Sequence, residues 1–179
     1  QQHRDIDPPA WAKVVVYPND ESAALQQVEA ARHADLVVKA SGVGVFDELL
    51  EAAVLDLQTS ERIVAFWDVD APATLERIQG NPSDPFAGLI PRYDAIFTYG
   101  GGQPVVSEYK ALGARMCVPI YNGLDPSTHH PVSRNAKFDA DLAFLGNRLP
   151  DRESRVEEFF LRAAALSPHH RFLLGGSGW

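Results

Sequence analysis

Arg62-Ile63-Val64-Ala65-Phe66-Trp67-Asp68-Val69-Asp70-Ala71-Pro72 is the stretch that decides the fold class. Residues 62–67 form a continuous apolar run with no polar alternation. That is the mark of a strand buried on both faces of a parallel sheet. The acidic turn that follows ends at Pro72, a favoured residue in the first turn of a helix. Working outward, the same strand-then-helix phrase recurs. Lys13–Tyr17, Asp35–Lys39, Asp94–Thr98 and Arg115–Ile120 read as further strands. Asp20–Arg32, Asp47–Gln58 and Pro104–Leu112 read as helices, the last closed by Gly113. Strand–helix–strand alternation implies crossover connections and an α/β, Rossmann-like, doubly wound parallel sheet.

Residues 121–139 break the rhythm, being rich in turn formers and poor in core formers, and read as a connection between domains. The pattern then restarts. Asp141–Leu145 is a strand, and Asp151–Leu166 is a helix with Val156, Phe159, Phe160, Ala163 and Leu166 on one face, for which Asp151 is a candidate cap. Arg171–Leu174 is another strand. The expected organisation is therefore a first domain over 1–122, a linker over 123–139 and a second domain over 140–179. Two strands and one helix cannot bury both faces of a sheet, so the second domain is expected to need a further chain segment, a homo-oligomeric partner or packing on the first domain.

The 179 residues carry a net charge of -8, are 45% hydrophobic and 22% charged, and include one cysteine. This is the composition of a globular protein. The negative balance argues against a nucleic-acid partner, whose binding depends on neutralising phosphates. Cys117, in an apolar run, reads as an inert buried thiol. No apolar stretch approaches the ~20 residues of a membrane span. Gln1–Asp5 has no apolar leader, so a cytoplasmic location is expected.

Several residues stand where chemistry occurs. Ligands of open α/β sheets bind beyond the carboxyl ends of strands, which places Asp68 and Asp70 at the functional edge. Asp70 is also a good helix N-cap. Gly100, Gly101 and Gly102 join a strand to a helix; such a loop either approaches a phosphate or sugar closely or makes a tight turn at positive φ. The missing G-x-G-x-x-G pattern counts against a dinucleotide fingerprint and an oxidoreductase. Gly175–Gly178 is a second glycine-rich loop. His129, His130, His169 and His170 fall in connections without metal-ligand spacing.

Tyr121–Pro131, with its Asn-Gly-x-Asp-Pro phrase, resembles the domain junction of GT-B glycosyltransferases. Phe144–Arg152 resembles the first strand and loop of their C-terminal domain. Trp67–Pro72, Leu89–Asp94 and Tyr99–Gly102 resemble, more narrowly, the CgeB-type (spore-maturation-like) members. The resemblance covers roughly the last two-thirds of the chain. It implies two Rossmann-like domains facing a cleft, a nucleotide-sugar donor held by the C-terminal domain, an acceptor held by the N-terminal one, and no metal or other cofactor. Inverting transfer needs a base for the acceptor hydroxyl, a role the resemblance offers to Asp68 or Asp70. Gly146, Asn147, Arg148 and Arg152 would face the donor diphosphate, arginine being suited to bidentate phosphate contact. The alternative is a non-catalytic Rossmann-like module that binds a nucleotide, a sugar or a protein.

Overall fold

The computed structural model describes residues 10–42 and 45–179, in two compact units, 1–123 and 124–179. The first unit is an α/β, Rossmann-like layer. Its four strands, β1 (Leu36–Ala40), β2 (Ile63–Asp68), β3 (Ala95–Thr98) and β4 (Cys117–Pro119), are all parallel in the order β1-β2-β3-β4. Helices α1 (Glu21–Ala30), α2 (Asp47–Ala53), α3 (Ala71–Gly80) and α4 (Gly102–Ala111) complete it. The local reasons are those of the sequence. Asp20 caps α1 by accepting the Ala23 N–H at 3.0 Å, and Pro72 stands in the first turn of α3.

Crossovers of one hand between neighbouring strands, taken in chain order, put every helix on the same side of the sheet. The core lies there. Val37, Val64, Phe66, Ile96 and Cys117 point from the strands into Leu75 and Ile78 of α3, Val105 and Tyr109 of α4, and the connecting turns. Phe66, Phe86 and Tyr93 form an aromatic group with centroids 4.4–6.3 Å apart, each pair contributing about 1 kcal/mol beyond its burial. The opposite face carries Leu36, Val38, Ile63, Met116 and Val118, all exposed. The expectation of strands covered on both faces is therefore met on one face only among the described residues, because the strand order never reverses.

One further expectation changes. Lys13–Tyr17 is not a strand: it has no ladder partner, and Val14, Val15 and Val16 are exposed. Strand-forming composition needs a neighbouring edge to pair with, and this segment finds none. Gly44, which with Gly42 follows the Asp35–Lys39 strand in the sequence, lies outside the described residues.

The second unit pairs β5 (Leu142–Leu145) with β6 (Phe172–Gly175) in parallel. One continuous helix runs through α5 (Pro150–Val156), a π-turn (Glu157–Leu161) and α6 (Arg162–Leu166). The cap position is Leu149, not Asp151. The wider π-turn rotates the helix surface, so Val156 and Phe160 are buried while Phe159 and Leu166 are exposed, unlike the single face that a regular α-helix predicts. Phe160 packs between Phe144 and Phe172, at centroid distances of 6.1 and 5.5 Å. Residues 121–139 contain no strand or helix beyond a short turn at Ala136–Phe138.

Candidate functional site

The carboxyl tips of β1 and β2 open on a hollow of about 520 Å³. The residues leaving those strands, Ser41, Gly42, Val69 and Asp70, form one wall; Asp47 and Glu51 of α2 and Thr74 and Arg77 of α3 form the others. This is where open parallel sheets bind ligands, because the strands diverge into helices there and leave the crevice unfilled.

Asp68 anchors the hollow from behind and does not face it. Its side chain is wholly buried. Its Oδ1 accepts from Ser41 Oγ at 2.9 Å, from the Asp70 N–H at 3.1 Å and from Thr74 Oγ1 at 3.1 Å. Its Oδ2 accepts from the Tyr109 hydroxyl. Burial, and then the neighbouring Asp68 carboxylate, push the Tyr109 phenol far above its usual range, so it stays a donor. Ser41 Oγ also accepts the Val69 N–H at 2.8 Å. One carboxylate thus ties together the tip of β1, the turn after β2, α3 and α4. A carboxylate enclosed by four donors and shut off from solvent cannot meet a ligand hydroxyl.

Asp70 is exposed on the rim of the hollow. It occupies the N-cap position of α3, yet its side chain makes no capping hydrogen bond, which leaves the carboxylate turned to the opening. Sequence reasoning missed the inner wall. Lys39 Nζ pairs with Asp47 at 2.7 Å and donates to the Ala40 carbonyl at 2.7 Å. Arg77 pairs with the buried Asp84 at 3.0 Å. Glu51 is only 4% exposed and lines the hollow, and its carboxyl has no hydrogen-bond partner among the described residues. Burial raises its pKa, with Lys39 and Arg77 pulling it back in part and Asp47 and Asp84 adding to the rise. The one legible hint was the Asp47–Glu51 spacing, which puts both acids on the same face of a helix that follows a strand tip. Phe46, at the start of α2, holds φ 62, a conformation bulky residues rarely adopt.

Gly100 and Gly101 follow β3 and do not line this hollow. Gly100, Gly101 and Gly102 have φ of 74, 78 and 58. The Gly100 N–H bonds to the Thr98 carbonyl at 3.0 Å, and Thr98 Oγ1 donates to the Gly100 carbonyl at 2.9 Å. A Cβ at Gly101 would collide with Val105. The glycines therefore make the tight turn that brings α4 against the sheet.

In the second unit, Gly146, Asn147, Arg148 and Arg152 come together with the loop after β6. The Gly146 N–H bonds to the Gly175 carbonyl at 2.8 Å, Asn147 Oδ1 accepts the Ser177 N–H at 2.9 Å, and Trp179 Nε1 donates to the Gly146 carbonyl at 2.7 Å. Arg148 pairs with Glu153 and lies 6.0 Å from the centre of the Trp179 ring. Its guanidinium is held in place and already has a carboxylate partner. The Arg152 guanidinium lies close beside Gly146.

Among the described residues, no group of three or more His, Cys, Asp or Glu is placed to hold a metal ion, and no helix is long and apolar enough to cross a membrane. No family model, curated protein or solved structure matches the chain.

Proposed function

We propose that this chain belongs to a cytoplasmic glycosyltransferase that moves a sugar from a nucleoside-diphosphate-sugar donor to a hydroxyl group of an acceptor. The observation that carries the reading is the hollow at the tips of β1 and β2, lined by hydroxyls and carboxylates. Such a lining suits a polyhydroxylated ligand, because each ligand hydroxyl needs both a donor and an acceptor. The motif resemblance to CgeB-type enzymes supports the same reading. Asp70, exposed at the rim, orients the acceptor. Asp68 holds the walls in place.

The donor's diphosphate is assigned to the loop pair of the second unit. Gly146 and Asn147 supply close backbone approach there, and Arg148 and Arg152 supply positive charge. For Arg148 the phosphate has to displace or share Glu153.

Calorimetric titration with a panel of UDP-, GDP- and TDP-sugars tests the proposal, together with product detection against a panel of hydroxylated acceptors. Binding of at least one donor is expected, weakened by Arg148→Ala with Arg152→Ala, and accompanied by sugar transfer. Binding without turnover under any condition would favour a non-catalytic binding module. No binding of any nucleoside diphosphate sugar would end the reading.

A further inference from the structure

Among the described residues whose side chains line the hollow, the Asp70 and Glu51 carboxyls have no hydrogen-bonded side-chain or backbone partner. Ser41 and Thr74 donate their hydroxyl hydrogens to Asp68, at 2.9 and 3.1 Å, so neither keeps a hydrogen for a ligand. Lys39 is engaged by Asp47 and Arg77 by Asp84. Asp70 is open to solvent at the rim. Glu51 differs from all of these, being 4% exposed, lining the hollow and lacking a hydrogen-bond partner among the described residues. Buried polar groups are almost always satisfied, so one left bare against a cavity marks where a ligand supplies the missing bond.

We propose that Glu51 is the carboxyl that binds the acceptor's hydroxyl group in this hollow and takes its proton, a role that rests on the glycosyl-transfer reading. The wall around it is rich in acceptors, which selects a ligand presenting several O–H donors: a sugar or another polyol. In the transfer step the acceptor O–H bond breaks as its oxygen bonds to the anomeric carbon of the nucleoside-diphosphate sugar. The bond from that carbon to the phosphate oxygen breaks, the nucleoside diphosphate leaves with the electron pair, and the proton ends on the Glu51 carboxylate. Asp68 is excluded from the role because both its oxygens are held by protein donors, its side chain is wholly buried and it does not line the hollow.

Burial also gives Glu51 the right chemistry. A base more basic than an ordinary carboxylate holds the transferred proton better. The groups that set this are Lys39 on β1, Asp47 on its own helix, Arg77 on α3 and Asp84 ahead of the aromatic cluster. The Tyr93 hydroxyl donates to the Glu51 backbone carbonyl at 2.7 Å and fixes the helix at this point.

Two readouts that do not need turnover test the site on the intact chain. A water-soluble carbodiimide with glycinamide labels protonated carboxyls, and peptide mass spectrometry locates the label. Glu51 is expected to keep labelling to higher pH than a free glutamyl peptide treated alongside, because burial raises its pKa. A panel of methyl glycosides of gluco, galacto and manno configuration, with their 2-amino forms, is expected to include at least one that slows Glu51 labelling. Labelling that fades in step with the free peptide as pH rises, or that no glycoside slows, would overturn the site. In the transferase assay, Glu51→Gln is expected to lower kcat about 100-fold or more with little change in KM. It is also expected to remove the acid limb of the pH profile, which Glu51→Asp retains. Turnover with that limb intact in Glu51→Gln would overturn the base role. Labelling and glycoside protection without any sugar transfer would instead sink the transferase reading and leave the hydroxyl-binding site standing.

Discussion

Asp68 and Glu51 show how two buried carboxyls on neighbouring elements take opposite parts. Asp68 is enclosed by four donors, three of them from Ser41, Thr74 and Tyr109, which lie 27, 6 and 41 residues away along the chain. Its removal strands those donors in the interior, each at a cost of ~1–3 kcal/mol. Asp68→Ala is therefore expected to lower unfolding stability by about 3 kcal/mol or more, as for other broken buried networks. Urea denaturation followed by the fluorescence of Trp67, one residue away, measures it. A loss under ~1 kcal/mol, the ordinary size of a single hydrogen bond, would show that the four elements do not depend on it. That Asp68 sits at a strand tip was legible, because it ends a continuous apolar run ahead of a helix start. Its enclosure was not, since nothing local announces a tyrosine 41 residues downstream. Glu51 was illegible for the converse reason. A glutamate inside an amphipathic helix reads as a solvated charge until the tertiary fold buries it.

At the scale of elements, the β3–α4 turn is the sharpest case of sequence dictating backbone. Three successive glycines at positive φ, beginning two residues after Thr98, turn the chain into α4. Gly101 carries two constraints, a left-handed backbone and contact with Val105 where a Cβ would sit. The backbone term alone costs ~1–2 kcal/mol for an L-residue. Gly101→Ala is expected to destabilise by about 2 kcal/mol or more through strain and overpacking together. Adding Val105→Ala is expected to cost less than the sum of the two single changes, because it removes the collision and leaves only the strain. Strict additivity in chemical denaturation of the double mutant would mean that Val105 has room to move aside. Helix positions and four of the first unit's five expected strands were readable from caps, proline and apolar runs. Lys13–Tyr17 was not, because composition reports a preference for pairing and cannot supply the edge to pair with. The π-turn at Glu157–Leu161 was also hidden, as a helical wheel assumes 3.6 residues per turn throughout.

The first unit as a whole is a sheet with one finished face. Continuous apolar strands made a parallel sheet legible, but the strand order was not, and the order β1-β2-β3-β4 sends every helix to one side. Leu36, Ile63 and Met116 on the other side are 52%, 53% and 50% exposed, and Val38 and Val118 are 39% exposed. Trp67 stands among them, edge-on to Phe97 and Tyr99, with its indole N–H buried and unbonded. A contiguous apolar patch of this kind is rare on a monomer's surface and favours association. The chain is therefore expected to bind the dye 1-anilinonaphthalene-8-sulfonate in its native state and to associate as concentration rises. Leu36 and Met116 lie at exposed strand ends, where a lysine can reach water while its stem stays on the sheet. Leu36→Lys with Met116→Lys is expected to weaken both effects while shifting unfolding stability by no more than about 0.5 kcal/mol per site, the usual range for surface changes. Dye titration and sedimentation velocity across a concentration series give the readout. Dye binding unchanged by the two lysines would assign the apolar surface to the second unit instead, where Leu145, Phe159 and Leu166 are 88%, 71% and 75% exposed.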